Sequence, residues 1–289
     1  MLQLNPKLKD EHRGLFYAAF AVLFFSTAPV LIRWGKPLSP YVIAWGRVLV
    51  GAVAVYCLAV LQGNRPRFQR TDWPKFFLYG LVTALHFLCY IASLSLTTIA
   101  HSLTLTYTSP VFVTLGSWLF LKEPVGRRKY LGVAVSVLGV AILAGFEPQL
   151  TRQMVIGDLL ALGSALCFGF YSIAGRSQRG NYPLLTYAFG LYGLAAFWLT
   201  PVALVTFTSP GIWRPVWAIV ALGILPLALG HTFYNAALRR THATYVNLVA
   251  TQEVTGGIIL GCLLLGEVPT FNSILGAAIT LMGIAMVLI

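Results

Sequence analysis

Runs of about twenty apolar residues, separated by short polar segments, recur from one end of this 289-residue chain to the other. They predict ten membrane-crossing helices, near residues 15–34, 40–62, 74–96, 101–121, 130–145, 156–176, 184–207, 214–238, 244–265 and 273–289. The punctuation of the first five spans returns in the second five at an offset of 143 to 144. Gly14 matches Gly157, Arg33 matches Arg176, Pro40 matches Pro183 and Gly80 matches Gly223; further on, Glu123 matches Glu267, Gly132 matches Gly276 and Gly139 matches Gly283. An odd number of spans per copy turns the second copy over in the membrane. The expected fold class is an all-α integral membrane protein of ten transmembrane helices, in two inverted five-helix repeats, 1–145 and 146–289, within a single membrane domain, 1–289. Inverted repeats place a substrate site between the halves.

With 58% hydrophobic and 10% charged residues, almost no mass remains outside the membrane for a soluble activity. The net charge of +12 invites a nucleic-acid partner, and its distribution argues against one. With a cytoplasmic N-terminus, the inner segments collect Lys7, Lys9, Arg13, Arg65, Arg67, Arg70, Lys75, Lys122, Arg127, Arg128, Lys129, Arg176, Arg179, Arg239 and Arg240. The outer segments receive Arg33, Lys36, Arg152 and Arg214. Fifteen against four is the positive-inside bias of helical membrane proteins, and it puts both termini in the cytoplasm. The first span has a counterpart in the second half and reads as a retained helix, not a signal peptide. Cys57, Cys89, Cys167 and Cys262 all fall within spans and lack metal-ligand spacing, so neither a disulfide framework nor a metal site is expected.

Polar groups are costly in hydrocarbon, so their positions trace a candidate pathway. Span three carries Thr83, His86, Tyr90, Ser93 and Thr97 on one helical stripe. Span four offers His101, Thr104, Tyr107 and Thr108; span eight His231, Tyr234 and Asn235; span nine Asn247, Thr251, Gln252, Glu253 and Thr255. Helix breakers point to the same depth: Pro110 in span four, Gly256-Gly257 in span nine and Pro226 in span eight. Glu253 is the acid nearest the middle of a span, which fits a proton carrier or a ligand for a substrate ammonium; a paired carboxyl holding helices together is the alternative. His86 and His231 suit proton relay, substrate contact or a backbone bond. Arg47, about 10 Å into span two, is expected to bond neighbouring carbonyls or snorkel outward rather than hold a carboxylate. Phe24, Phe25, Phe168, Tyr171, Tyr107 and Tyr90 lie deep enough to line a pocket for a bulky side chain. Spans five and ten instead carry matched small residues, Gly132-Ser136-Gly139 and Gly276-Thr280-Gly283, which suit close packing against the body or a homodimer through helices five or ten.

These residues resemble the drug/metabolite transporter superfamily and, more narrowly, its EamA-type exporters. The resemblance rests on Pro40 to Arg47, on Pro110-Val-Phe-Val-Thr-Leu-Gly with Leu121-Lys-Glu123, on Gln252-Glu253-Val254 with Leu265-Gly-Glu267, and on Leu275-Gly276 to Met282-Gly283. It implies a cavity walled by spans one to four and six to nine, with spans five and ten peripheral. The family's Glu-Pro pair in span nine stands here as Glu253-Val254, which loses the proline. Similar bacterial members export amino acids, aromatic ones included, so the resemblance implies a secondary transporter in the bacterial inner membrane. Its partners would be a small-molecule substrate and the lipid bilayer, with no cofactor and no catalytic residues. The substrate-binding candidates are His86, Tyr90, Tyr107, Tyr171, His231, Asn235, Gln252 and Glu253, with Glu253 and His86 as proton-coupling candidates. Small-multidrug-type export of organic cations is the rival within transport, although the acid those relatives carry in span one is missing from residues 15–34. A membrane-embedded transferase would need clustered carboxylates for Mg²⁺, and the one adjacent pair, Asp10-Glu11, lies in the leader.

Overall fold

Proline and hydroxyl caps start several of the helices. Ser39 accepts a bond from the Val42 nitrogen, with Pro40 in the first turn behind it; Thr98 and Thr151 cap their helices in the same way. The computed structural model describes residues 6–144, 151–209, 211, 213–267 and 271–288. Its helices are α1 (Pro6–Phe25), α2 (Ala28–Trp34), α3 (Pro40–Leu61), α4 (Trp73–Leu96), α5 (Ile99–Thr106), α6 (Ser109–Leu121) and α7 (Arg127–Ala144). The second half holds α8 (Arg152–Ser177), α9 (Leu184–Val205), α10 (Arg214–Leu222), α11 (Thr232–Leu238), α12 (Ala243–Ala250), α13 (Glu253–Leu265) and α14 (Phe271–Leu288). A π-helical stretch, Gly223–His231, joins α10 to α11 around Pro226.

The ten expected spans are all present as helical paths among the described residues. Span one is α1 with α2, span four α5 with α6, span eight α10 to α11, and span nine α12 with α13. Seven of them are long and apolar enough to cross a membrane on length and composition alone. Span four, rich in Ser and Thr, is not among the seven, while α7 and α14 contain shorter apolar stretches, Lys129–Gly139 and Ile274–Val287. The expected ends of spans five and ten, at 145 and 289, lie outside the described residues.

Packing follows the repeat. α4 lies on α8, and the related pair, the π-helical stretch and α11, lies on α1. α5 against α8 is answered by α12 against α1, and α3 meets its counterpart α9 directly. Spans one to four and six to nine therefore surround the core, with α7 and α14 paired at the side.

That side pair is where the matched small residues of spans five and ten meet. A Cβ on Gly139 would lie 2.4 Å from the Thr280 nitrogen, and one on Gly283 would lie 2.4 Å from the Ser136 nitrogen. The matched small residues thus pack against each other within one chain. Gly139→Leu should lower the thermal midpoint of the detergent-solubilised protein, since overpacking costs about 1–3 kcal/mol. Leu138→Ala, at a largely exposed position, serves as the control. An unchanged midpoint for Gly139→Leu would show that the two backbones are not in close contact.

Candidate functional site

Two broken helices face the middle of the molecule. Span four stops at Thr106, turns through Tyr107 and Thr108, and restarts at Ser109 with Pro110 in its first turn. Proline has no N–H to continue the ladder, which gives this break its cause. Span nine stops at Ala250, turns through Thr251 and Gln252, and restarts at Glu253. The two turns occupy matching places in the repeat. The sequence places the interruption at Gly256-Gly257, but both residues lie inside α13. Their smallness serves packing: a Cβ on Gly256 would fall 2.0 Å from Ser26 Oγ, and one on Gly257 would fall 3.1 Å from Pro29 Cγ. Span one has its own break at Ser26-Thr27, where Ser26 Oγ donates to the Val22 carbonyl at 2.8 Å. Its counterpart α8 is continuous.

The restart of span nine puts Glu253 at the first turn of α13, where unpaired backbone N–H groups favour an anion. The side chain is 6% exposed. Tyr90 donates its hydroxyl to Oε1 at 2.7 Å, and Tyr107 donates to Oε2 in a short bond. One carboxylate thus gathers spans three, four and nine. Phe25, Arg47, His86, Phe87, Tyr90, Thr106, Tyr107, Phe168, His231 and Glu253 enclose a cavity of about 10 Å³, room for a single water molecule.

Arg47 departs most from expectation. Its side chain neither snorkels nor bonds carbonyls through Nε and Nη1, which are buried and have no hydrogen-bond partner. The residue is 1% exposed, and its guanidinium carbon sits 4.3 Å from the centroid of the Phe87 ring. Among the described residues it makes no ion pair, although Glu253 lines the same chamber. A buried cation with unmade bonds is expensive, because desolvation is offset only by partners. The Nδ1 atom of His231 in the same lining is also unpartnered.

Five of the eight expected binding residues meet in this chamber: His86, Tyr90, Tyr107, His231 and Glu253. His86 is also tied to span six, its Nδ1 lying 2.9 Å from Ser164 Oγ and 3.1 Å from the Ser164 carbonyl. Asn235 and Tyr171 sit alongside: Asn235 Nδ2 donates to the Tyr171 hydroxyl at 2.6 Å, while the Tyr171 ring centroid is 5.5 Å from that of His231. Gln252 lies in the turn of span nine outside the lining, its Oε1 accepting from Thr255 at 3.3 Å. Ser109, Asn247, Tyr234 and Ser172 form a hydrogen-bonded chain linking spans four, nine, eight and six. Of the deep aromatics, Phe25 and Phe168 join Tyr90 and Tyr107 in the chamber, whereas Phe24 stacks on Phe233. Arg47, Phe87 and Thr106 complete a wall that the polar stripes alone did not reveal.

The family model for EamA-like transporters matches the chain twice, at residues 12–145 and 155–289. The pseudopaline exporter CntI of Pseudomonas aeruginosa (strain PAO1) is 27% identical over 269 residues, 92% of each chain. The threonine/homoserine exporter RhtA of Escherichia coli (strain K12) is 25% identical over 237 residues, 77% of each chain. A solved crystal structure with 18% identity shares the fold at a TM-score of 0.78, covering 94% of this chain and 95% of the other. Both halves match one family model, and the chain belongs to the EamA-like transporter family as a multi-pass membrane transporter rather than an enzyme.

Proposed function

We propose that the chain is a secondary exporter of small zwitterionic metabolites, amino acids above all, moved by alternating access through the central chamber. The carrying observation is that a buried arginine and a buried glutamate line one aromatic chamber without pairing. Arg47 brings a full positive charge to a carboxylate, together with two buried nitrogens, Nε and Nη1, that have no hydrogen-bond partner. Glu253 offers its charge to an ammonium, and Phe25, Phe87 and Phe168 offer apolar surface to a side chain. The name of the related threonine/homoserine exporter supports an amino-acid cargo. The organic-cation alternative fits Glu253 and the aromatic walls but not Arg47, whose positive charge in the same low-dielectric space repels a plain cation.

The small cavity corresponds to a closed conformation that must expand to take cargo. Glu253 is the better proton-coupling candidate because it touches only hydroxyls that can stay in place while it exchanges a proton for an ammonium. His86 is held by Ser164, which supports a part in joining spans three and six. The basic-residue bias supports a bacterial inner-membrane protein with both termini cytoplasmic. Reconstituted vesicles should show amino-acid counterflow and accumulation driven by a pH gradient. In intact cells Thr208→Cys should react with an impermeant thiol reagent and Gly126→Cys should not. Absence of both fluxes across an amino-acid panel would reject the function, and the opposite labelling would reject the orientation.

A further inference from the structure

Arg33 and Arg176, matched by the repeat, make matched contacts at opposite ends of the molecule. Arg176 donates through Nε and Nη2 to Glu123, at 3.0 and 3.1 Å, and through Nη1 to the Leu238 carbonyl at 3.0 Å. Arg33 donates through Nη2 to the Thr97 carbonyl at 3.1 Å and lies 3.8 Å from Glu267. Leu238 ends span eight and Thr97 follows span three, which are themselves repeat mates.

The backbone supports the same equivalence. Glu123 follows Lys122 and Glu267 follows Gly266, both in the left-handed region, at φ 53° and 72°. Each glutamate nitrogen then reaches back to a carbonyl six residues earlier, Ser117 or Gly261, closing α6 and α13 with one type of cap. Each ion pair also joins the two halves, since Arg33 and Glu123 belong to the first and Arg176 and Glu267 to the second.

The two pairs are not in the same state. The Arg176 pair is bidentate, Arg179 adds a contact to Glu123 at 3.2 Å, and His242 Nε2 lies 2.6 Å from the Glu123 carbonyl. Burial alone would push the Glu123 carboxyl up, but Arg176 and then Arg179 outweigh it and hold it below the usual carboxylate range. The Arg33 pair is a single long contact. Glu267 is 42% exposed, and the Arg33 Nε is buried without a partner where its mate grips a carboxylate. On that same face His101 lies 3.4 Å from Asp158, joining α5 to α8.

We propose that Arg176–Glu123 and Arg33–Glu267 are reciprocal latches of alternating access, one at each mouth, the first engaged here and the second partly released. In the opposite conformation Glu267 would close onto Arg33 Nε and Nη2 while Glu123 withdraws from Arg176. The latches act whatever the cargo, so an inactive amino-acid assay and a failed latch test are separate outcomes.

Amide hydrogen exchange by mass spectrometry on the full-length protein in nanodiscs tests this. Glu123→Gln should speed exchange several-fold in segments 122–127 and 177–183 and slow it around 34–39, because releasing one latch favours closing the other. Glu267→Gln should act in the opposite sense and by less, since its latch is already loose. A structural role alone would loosen only the mutated face or the whole protein. Faster exchange confined to the mutated face, or faster exchange at both, would overturn reciprocity. Should Glu123→Gln fail to fold, Glu123→Asp keeps the charge, shortens the reach and should give the same two-sided pattern more weakly; a one-sided pattern there overturns the proposal equally.

Discussion

Glu253→Gln should abolish pH-driven accumulation while leaving weakened counterflow of the same cargo. The amide keeps the shape of the carboxyl, but it cannot carry a proton across or present a full negative charge. Two tyrosine hydroxyls now donate to the two carboxylate oxygens. With Gln one oxygen becomes an NH₂, so one hydroxyl must turn from donor to acceptor. Charge-assisted bonds are about twice as strong as neutral ones, so binding of the ammonium end should weaken as well. Tyr90→Phe and Tyr107→Phe remove one donor each and should have smaller effects than Glu253→Gln, because the charge remains. Parent-like affinity, exchange and accumulation in the Gln variant would make Glu253 a helix-packing residue.

Much of this site is written in the order of residues. The stripe of span three is legible because 3- and 4-residue spacings put Thr83, His86, Tyr90, Ser93 and Thr97 on one face, and all five are buried in the structure. Glu253 is legible because an acid in a long apolar run has few cheap explanations. Pro110 marks the break in span four because it has no N–H to carry the helical ladder across the turn. Gly256-Gly257 misleads because glycine signals either a break or a close approach, and here Ser26 and Pro29 approach it from span one, far away in sequence. The setting of Arg47 is hidden in the sequence for a related reason. Its depth along α3 is countable, but whether it turns to carbonyls, lipid or the chamber depends on Phe87 of span three beneath it. The repeat exposes matched Arg and Glu positions, while their pairing across the halves requires the fold.

Arg47→Gln should produce the other large effect, a loss of carboxylate recognition with the protein still folded. The parent has two buried N–H groups unpaired, so cargo binding would satisfy groups that already stand desolvated. Each hydrogen bond to a charged group contributes about 1.5–3 kcal/mol, which is roughly a 10- to 150-fold change in affinity per bond. Arg47→Lys keeps the charge but loses the planar fork, and should recover only part of the binding.

The most direct measurement is ligand-induced thermal stabilisation of the purified protein with three compounds sharing one side chain: the amino acid, its decarboxylated amine and its desamino acid. The parent should be stabilised most by the zwitterion, Arg47→Gln should lose the gain contributed by the carboxylate, and Glu253→Gln should lose the gain contributed by the ammonium. Equal stabilisation of the parent by the zwitterion and the plain amine, unchanged in Arg47→Gln, would contradict a chamber built for zwitterions.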